Sequence, residues 1–336
     1  MTLQQGRVAT RLPPVVREFA PPLDLRVRLW LAVAGWLARR GVYPTMDAMP
    51  SVPLERRKAG KPPWWLNRPR PAGVTSTDYD VGTFDLPHPV RVYRPGAIDT
   101  SLPIVLFVHG GGFVSGGLDA MDYPCAVVAT AASVVVVSLD YPLAPEEPFP
   151  AALESALATL AWLAEHGARI GGVTEKIAVM GDSAGGNLAA ALCLLARRND
   201  GPAIAHQVLI YPALDATLST PGMRAADGAR RRDCGLFYGY YAGGAVRDDE
   251  LISPLLASDL SRLPAATILT ADHDALRDDG LLYARRLEQA GVRVRVTNYL
   301  GMPHGFLSMP RLCRAAPQAL DEIGTELLHL HEPFRH

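Results

Sequence analysis

Short apolar runs recur through most of this 336-residue chain, and helix-like stretches lie between them. The runs are Ile104–Val108, Val134–Leu139, Ile177–Met180, Val208–Ile210 and Ala266–Thr270. Strands that are apolar on both faces are typical of a parallel sheet covered by helices. The helix-like stretches are Ala151–His166, Ala184–Arg198, Asp279–Ala290 and Pro317–Leu330. This alternation predicts an α/β fold with a largely parallel sheet.

Two segments do not fit the alternating pattern. Residues 1–75 combine Pro-rich stretches with a helix-like stretch, Leu23–Arg40, that carries Arg on one side and Leu, Val and Trp on the other. Residues 212–264 separate two predicted strands and are too long for a structureless loop in a compact domain. We therefore predict an N-terminal cap segment over residues 1–75. The main α/β domain then spans residues 76–336, with residues 212–264 as a cap insertion.

The composition excludes several classes of protein. Hydrophobic residues make up 49% and charged residues 20%, as in a globular chain, and the formal net charge of -1 favours neither nucleic acid nor an anionic membrane. The four cysteines are scattered and match no metal or redox spacing. The apolar run Leu29–Ala38 is shorter than the ~20 residues that cross a bilayer, so we expect no stable membrane anchor and a cytoplasmic protein.

The sequence Gly181-Asp182-Ser183-Ala184-Gly185 follows a predicted strand and opens a predicted helix. G-x-S-x-G in that position is the nucleophile elbow, a sharp turn that holds the serine in strained backbone geometry. Small residues are needed on both sides of the serine because a Cβ atom would collide within the turn. This context predicts Ser183 as a nucleophile.

Three glycines follow His109, directly after the strand-like run Ile104–Val108. Glycines there leave backbone N–H groups pointing into a cavity without obstruction by side chains. Together with the N–H of Ala184, those of Gly111 and Gly112 can form an oxyanion hole. A phosphate-binding loop would need G-x-G-x-x-G or a following Lys-Ser/Thr, and neither occurs here.

A nucleophilic serine needs a base, and the base needs an orienting carboxylate. His304 lies in a loop after the strand-like Val292–Leu300, where a sheet delivers side chains to its C-terminal edge. For the acid, Asp272 and Asp274 both lie near the end of one strand, and the residues themselves do not choose between them. Asp278 and Asp279 instead fit the N-terminus of a helix.

Together these motifs resemble the hormone-sensitive-lipase family of α/β-hydrolases. The resemblance rests on HGGGF (109–113), DYPLAPEEPFPA (140–151), GDSAGGN (181–187), LIYPALD (209–215), DALRDDG (274–280) and MPHGF (302–306). It implies an α/β-hydrolase fold, a mostly parallel eight-stranded sheet flanked by helices, with a helical cap. It also assigns the acid to Asp274 and supports Gly111, Gly112 and Ala184 as oxyanion donors.

The resemblance implies a carboxylesterase that forms an acyl-enzyme and needs neither a metal nor an organic cofactor. We expect a small-molecule ester with a short- to medium-length acyl group as substrate, and a homodimer is a further possibility. The alternatives are an amidase or lactonase with the same triad, a hydrolase-like receptor without turnover, and a lipase that acts at a lipid surface.

The expected acyl-length limit depends on aromatic residues in the two non-core segments. If these rings form a roof over Ser183, they close a pocket of limited length. If they only pack between the cap and the core, they set no limit on the acyl chain. These residues are Trp30, Trp36, Trp64, Trp65, Phe237, Tyr238, Tyr240 and Tyr241.

Overall fold

The computed structural model describes residues 23–40, 65–82, 88–96 and 100–332, with the isolated positions 48, 51, 52, 54, 63 and 98. Much of the predicted cap segment, including residues 1–22 and Trp64, therefore lies outside the described residues. Within the described part, no helix is both long enough and apolar enough to span a membrane.

Eight strands form one sheet in the order β1-β2-β4-β3-β5-β6-β7-β8. The pairs β1–β2 and β2–β4 are antiparallel and the other neighbours are parallel. The prediction of a mostly parallel eight-stranded sheet is confirmed. The strands are β1 (Val74–Asp80), β2 (Pro89–Pro95), β3 (Leu102–Val108), β4 (Val135–Leu139), β5 (Gly172–Asp182), β6 (His206–Ile210), β7 (Ala265–His273) and β8 (Val294–Pro303).

Helices cover both faces of the sheet because the strands are apolar on both sides. In β3, Ile104 and Leu106 belong to the apolar cluster on one face of the sheet, whereas Val105 and Phe107 belong to the cluster on the other face. The α-helices of the described part are α1 (Leu25–Arg39), α2 (Asp122–Ala131), α3 (Ala151–His166), α4 (Ala184–Arg198), α5 (Pro221–Ala225), α6 (Gly228–Ala242), α7 (Arg277–Gln289) and α8 (Ala315–Leu327).

In the sheet and the helices that cover it, strand β1 and helix α2 were not predicted. Strand β1 has the polar sequence VTSTDYD and lies at the edge of the sheet, where most of its residues are exposed and no apolar run is needed. Helix α2 has the sequence DYPCAVVATA, and six of its residues are buried, which removes the one-sided pattern that identifies a surface helix.

Residues 211–264, between β6 and β7, contain α5, α6 and the short 3₁₀ turn Pro254–Leu256. Buried polar side chains tie this segment to the core. The side-chain amide of Asn187 in α4 donates to the carbonyls of Ala213 (2.7 Å) and Ile252 (2.8 Å). The carboxylate of Asp279 in α7 accepts from the N–H of Leu214 at 2.9 Å. The segment is thus folded and fixed to the sheet domain.

Candidate active site

Ser183 occupies the turn between β5 and α4, with φ 55° and ψ -116°. This left-handed backbone is rare for residues other than glycine and is typical of functional turns. A Cβ atom on Gly181 would lie 2.1 Å from the carbonyl oxygen of Gly185, and one on Gly185 would lie 2.0 Å from that of Val108. Both positions therefore require glycine, as the motif predicts.

His304 follows β8 directly, and its Nε2 lies 2.9 Å from Oγ of Ser183. The ring of Tyr211 packs edge-on against the imidazole, with the ring centroids 4.9 Å apart. The side chain of His304 stays 39% exposed because it faces a cavity. An imidazole in this position can accept the serine proton.

Asp274 lies beyond the end of β7, and its Oδ2 is 2.6 Å from Nδ1 of His304. Its Oδ1 accepts the N–H of Leu276 at 3.0 Å, which fixes the carboxylate orientation. Asp272, the alternative that the residues left open, instead accepts from the side-chain amide of Asn298 at 3.3 Å and has a fully buried side chain. The structure thus brings Ser183, His304 and Asp274 together and leaves Asp272 in a different network.

The carboxylate neighbours of His304 change its basicity. Partial removal from solvent lowers the pKa of His304, but the charge and hydrogen bond of Asp274, with a smaller effect of Asp182, outweigh it. The net result is a pKa above the ordinary histidine value. A raised pKa makes the neutral ring a stronger base toward the serine proton and stabilises the imidazolium once it forms.

The predicted oxyanion donors lie on two sides of Ser183. Gly111 has φ 119° and Gly112 has φ 63°, conformations that favour glycine. Among the described residues, the N–H groups of Gly111 and Gly112 donate to no backbone carbonyl. Ala184 is the first residue of α4, so its N–H has no partner within the helix. All three positions line the same cavity as Ser183.

Buried hydrogen bonds fix the position of the glycine loop. The Tyr141 hydroxyl donates to the carbonyl of His109 at 2.9 Å, and the two rings stack at a centroid distance of 4.2 Å. The N–H of Gly110 donates to Oδ1 of Asp182 at 2.7 Å. The sequence reasoning did not single out Asp182. Its position inside the nucleophile motif could have indicated a role. The hydrogen bond could not be predicted, because its donor, Gly110, lies 72 residues away in the sequence.

A cavity of about 800 Å³ opens above Ser183. Its floor is the end of the sheet with Asp274, His304 and the glycine loop. Its roof consists of residues from α1 and α6, together with Leu23 just before α1. The roof residues are Leu23, Leu31, Arg230, Asp233, Cys234, Phe237 and Tyr238.

The aromatic roof is only partly as predicted. Of the named aromatics in the described part, Phe237 and Tyr238 line the cavity. The prediction is wrong for the described tryptophans, because Trp30 packs edge-on against Trp65 at 4.6 Å and Trp36 is 46% exposed. Tyr241 stacks on Phe113 at 3.8 Å, so it holds α6 to the glycine loop.

Comparison with known proteins places this geometry in a family. A family model described as the alpha/beta hydrolase fold matches residues 105–308, which include the glycine loop, Ser183, Asp274 and His304. The chain belongs to the hormone-sensitive-lipase family of α/β-hydrolases. The resemblance found in the sequence motifs is thereby confirmed.

Several named relatives of this α/β-hydrolase are esterases. Carboxylesterase NlhH of Mycobacterium tuberculosis is 42% identical over 238 residues, 69% of this chain and 75% of the relative. Ethyl acetate hydrolase of Pseudomonas putida is 39% identical over 250 residues, 72% of this chain and 78% of the relative. A thermostable esterase from Pseudomonas putida ECU1011 superposes with a TM-score of 0.82 at 29% identity, covering 94% of this chain and all of that one.

Proposed function

We propose that this chain hydrolyses carboxylic esters through an acyl-enzyme on Ser183, with His304 as general base and Asp274 as the orienting carboxylate. The observation that carries the proposal is the unbroken chain of contacts from Ser183 Oγ to His304 at 2.9 Å and from His304 to Asp274 at 2.6 Å. Ester hydrolysis is also the activity named for the relatives, and the chain is a carboxylesterase.

The proposed reaction has two halves. Ser183 Oγ attacks the ester carbonyl while His304 takes its proton, and the N–H groups of Gly111, Gly112 and Ala184 stabilise the oxyanion. His304 then gives the proton to the leaving alcohol as the acyl-enzyme forms. Water, deprotonated by His304, then attacks the acyl-enzyme. The bond from the acyl carbon to Ser183 Oγ breaks, His304 returns the proton to Oγ, and the carboxylic acid is released. Asp274 keeps Nε2 directed at the reacting oxygen throughout.

Short- to medium-length acyl groups are the proposed substrates, because the rings of Phe237 and Tyr238 in α6 line the cavity and limit its length. Each buried CH₂ contributes ~0.8 kcal/mol, so kcat/KM should rise over the first few carbons. It should fall once the chain reaches the aromatic wall. The test measures kcat/KM for p-nitrophenyl esters from acetate to palmitate, beside matched amides and lactones. A steady rise to palmitate would refute the limit, and faster amide or lactone turnover would refute the ester assignment.

Action at a lipid surface is a second candidate, favoured by the outward face of α1. Leu25, Leu29, Val33 and Trp36 are 66%, 60%, 49% and 46% exposed, and their spacing puts them on one side of the helix. Apolar residues on an exposed helix face are typical of interfacial binding. A sharp increase in activity above the solubility limit of tributyrin would support this candidate. A saturation curve that passes smoothly through that limit would eliminate it.

The domain division is part of the proposal. Residues 1–75 are assigned to an N-terminal cap segment and residues 76–336 to the catalytic domain, with residues 212–264 as its cap insertion. Because β1 begins at Val74, the structure moves the start of the sheet domain two residues earlier than predicted. The two cap segments share the lining of one cavity, which supports this grouping. The cytoplasmic location and the homodimer stay predictions.

A further inference from the structure

Asp182 is a buried carboxylate for which the proposed reaction has no use. It is the last residue of β5, directly before Ser183, and it is 7% exposed. Its Oδ1 accepts the N–H of Gly110 at 2.7 Å. Removing a carboxylate from water costs free energy, so a buried carboxylate beside the nucleophile indicates a functional role.

The glycine loop rests directly on Asp182. A Cβ atom built on Gly110 would lie 2.6 Å from Oδ2 of Asp182 and 2.9 Å from its carbonyl oxygen. Glycine at position 110 therefore allows the loop backbone to approach the carboxylate closely enough for the hydrogen bond. Gly110 and Asp182 are thus in close contact, and a change in either residue alters the distance between the glycine loop and the turn that carries Ser183.

We propose that Asp182 is a positioning residue that sets the distance between the oxyanion-hole donors and the nucleophile. The proposal rests on the catalytic assignment made above. Asp182 is covalently joined to Ser183, and Gly110 is covalently joined to Gly111. Their hydrogen bond is thus a direct link between the two sides of the oxyanion hole, the glycine loop and the turn that carries Ser183 and Ala184. Without it, the loop donors and the turn donor can move apart.

The groups that face Asp182 from the neighbouring elements are Cys125 of α2, Tyr141 after β4, Tyr211 after β6 and His304 after β8. Burial raises the pKa of Cys125, Tyr141 and Tyr211 well above their ordinary values, so these three stay uncharged near neutral pH. His304 is the neighbour whose charge changes there, and the charge of Asp182 contributes to raising the His304 pKa.

The ionisation of Asp182 itself supports a role in this pH range. Burial raises its pKa to about 6, against the opposing effects of the Gly110 N–H and of His304. Above that pH the carboxylate is charged, and a charged acceptor forms a stronger hydrogen bond with a backbone N–H than a neutral one does. The loop is therefore held most firmly in the pH range where His304 is neutral and able to act as a base.

The main experiment compares Asp182→Ala with Asp182→Asn on a p-nitrophenyl ester. Asp182→Ala should lower kcat by about 10²-fold, comparable to the loss of one oxyanion donor, with KM changed less than about threefold. Asp182→Asn keeps an oxygen acceptor and should recover about tenfold of that loss. An aryl boronic acid forms a tetrahedral adduct on Ser183 and places an oxygen in the oxyanion hole. Its inhibition constant should rise more in Asp182→Ala than in Asp182→Asn.

Gly110→Ala tests the same contact from the other side, since its Cβ displaces the loop from Asp182. Combined with Asp182→Ala, it should add little to the loss from the more damaging single change, because both act through one contact. Asp215→Asn is the control: Asp215 is also a buried carboxylate that accepts backbone N–H groups, from Thr217 and Ser219. It should leave boronic acid affinity unchanged.

Two results would overturn the proposal. One is a lower melting temperature for Asp182→Ala with unchanged kcat; the other is a loss of kcat without weaker boronic acid binding.

The pH profile gives a separate readout: in Asp182→Asn the His304 pKa should fall, so the acid limb of kcat/KM should move to lower pH. An unmoved limb would also count against it. Failure of the proposed function itself would be visible independently, as missing fluorophosphonate labelling of Ser183 in the wild-type protein.

Discussion

The floor and the roof of the active-site cavity are held in different ways. On the floor, Ser183, His304 and Asp274 are joined by hydrogen bonds of 2.9 and 2.6 Å, and each lies directly after a strand of the sheet. On the roof, Leu31 of α1 and Phe237 of α6 line the cavity from helices of the two proposed cap segments. The floor therefore fixes reacting atoms, whereas the roof bounds the space above them. We expect changes in the floor to alter the chemical step and changes in the roof to alter which esters fit.

The largest effect should come from the nucleophile. Ser183→Ala should lower kcat by about 10⁶-fold, as removal of a triad nucleophile does in other serine hydrolases. A fluorophosphonate should label Ser183 alone, as located by peptide mapping. Ser308 lines the same cavity but donates to the carbonyl of Gly305 at 2.8 Å, so Ser308→Ala is the matched control with nearly normal activity. An adduct on another serine would contradict the assignment of the floor.

The orienting carboxylate should give the second-largest effect. Asp274→Asn should lower kcat by about 10⁴-fold with the fold intact, because the imidazole loses its orientation and correct tautomer. Activity and circular dichroism spectra of the variant would be measured together. Asp272→Asn changes a carboxylate near the end of the same strand that accepts from the side-chain amide of Asn298, so its loss should be far smaller. Greater damage from Asp272→Asn would mean that the acid has been misassigned.

The pH dependence should reflect the raised pKa of His304. The base acts only when neutral, so kcat/KM should fall as the pH drops through that pKa, by about tenfold per unit below it. The midpoint of the acid limb should lie above the ordinary histidine value of about 6.5. In Asp274→Asn the main cause of the increase is gone, and the midpoint of the residual activity should move to lower pH. Profiles measured with a neutral ester would check both directions, and a wild-type midpoint at or below about 6.5 would be inconsistent with the carboxylate effect.

A change in the roof should alter selectivity more than rate. Phe237 lies against Gly112 and lines the cavity, so Phe237→Ala should enlarge the space available to the acyl chain. The preferred p-nitrophenyl ester should become longer, with about a tenfold gain in the ratio of decanoate to butyrate kcat/KM, on the scale of a few additional buried CH₂ groups. Tyr241→Phe is the control, since Tyr241 packs on Phe113 without lining the cavity. An unchanged chain-length profile would mean that the roof does not limit the acyl group.

The smallest effect should come from the outward face of α1. Leu25→Ser and Leu29→Ser change side chains that are 66% and 60% exposed and do not line the cavity. Surface changes of this kind usually alter stability by less than about 0.5 kcal/mol, and turnover of a water-soluble ester should stay within about twofold. Leu31→Ser, on the cavity side of the same helix, is the comparison and should raise KM. Equal losses from both faces would show that α1 does not act through its cavity side and would contradict its assignment as a roof over the substrate.

The residues alone predicted the sheet and the nucleophile but not every element. Apolar runs identify strands such as β3 because both of its faces are covered by helices. The edge strand β1 was missed because most of its residues face solvent and it needs no apolar run. For the aromatic residues the sequence left both a roof and a packing role open, and the described tryptophans Trp30, Trp36 and Trp65 do not line the cavity. Hydrophobic character predicts that Trp30 will be covered, but whether by Trp65 or by a substrate depends on how the cap packs.

The sequence by itself determined what depends on neighbours in the chain. The turn at Ser183 needs Gly181 and Gly185 within two residues on either side, so the motif and its strand–helix context predict it. The tertiary structure decided the contacts between distant residues, such as the hydrogen bond from Gly110 to Asp182. Asp274, which the residues alone did not separate from Asp272 and which the family resemblance selected, also meets His304 only in the folded structure. Two carboxylates separated by two positions share the same local pattern. Only the packing of β7 against β8 brings one of them to His304.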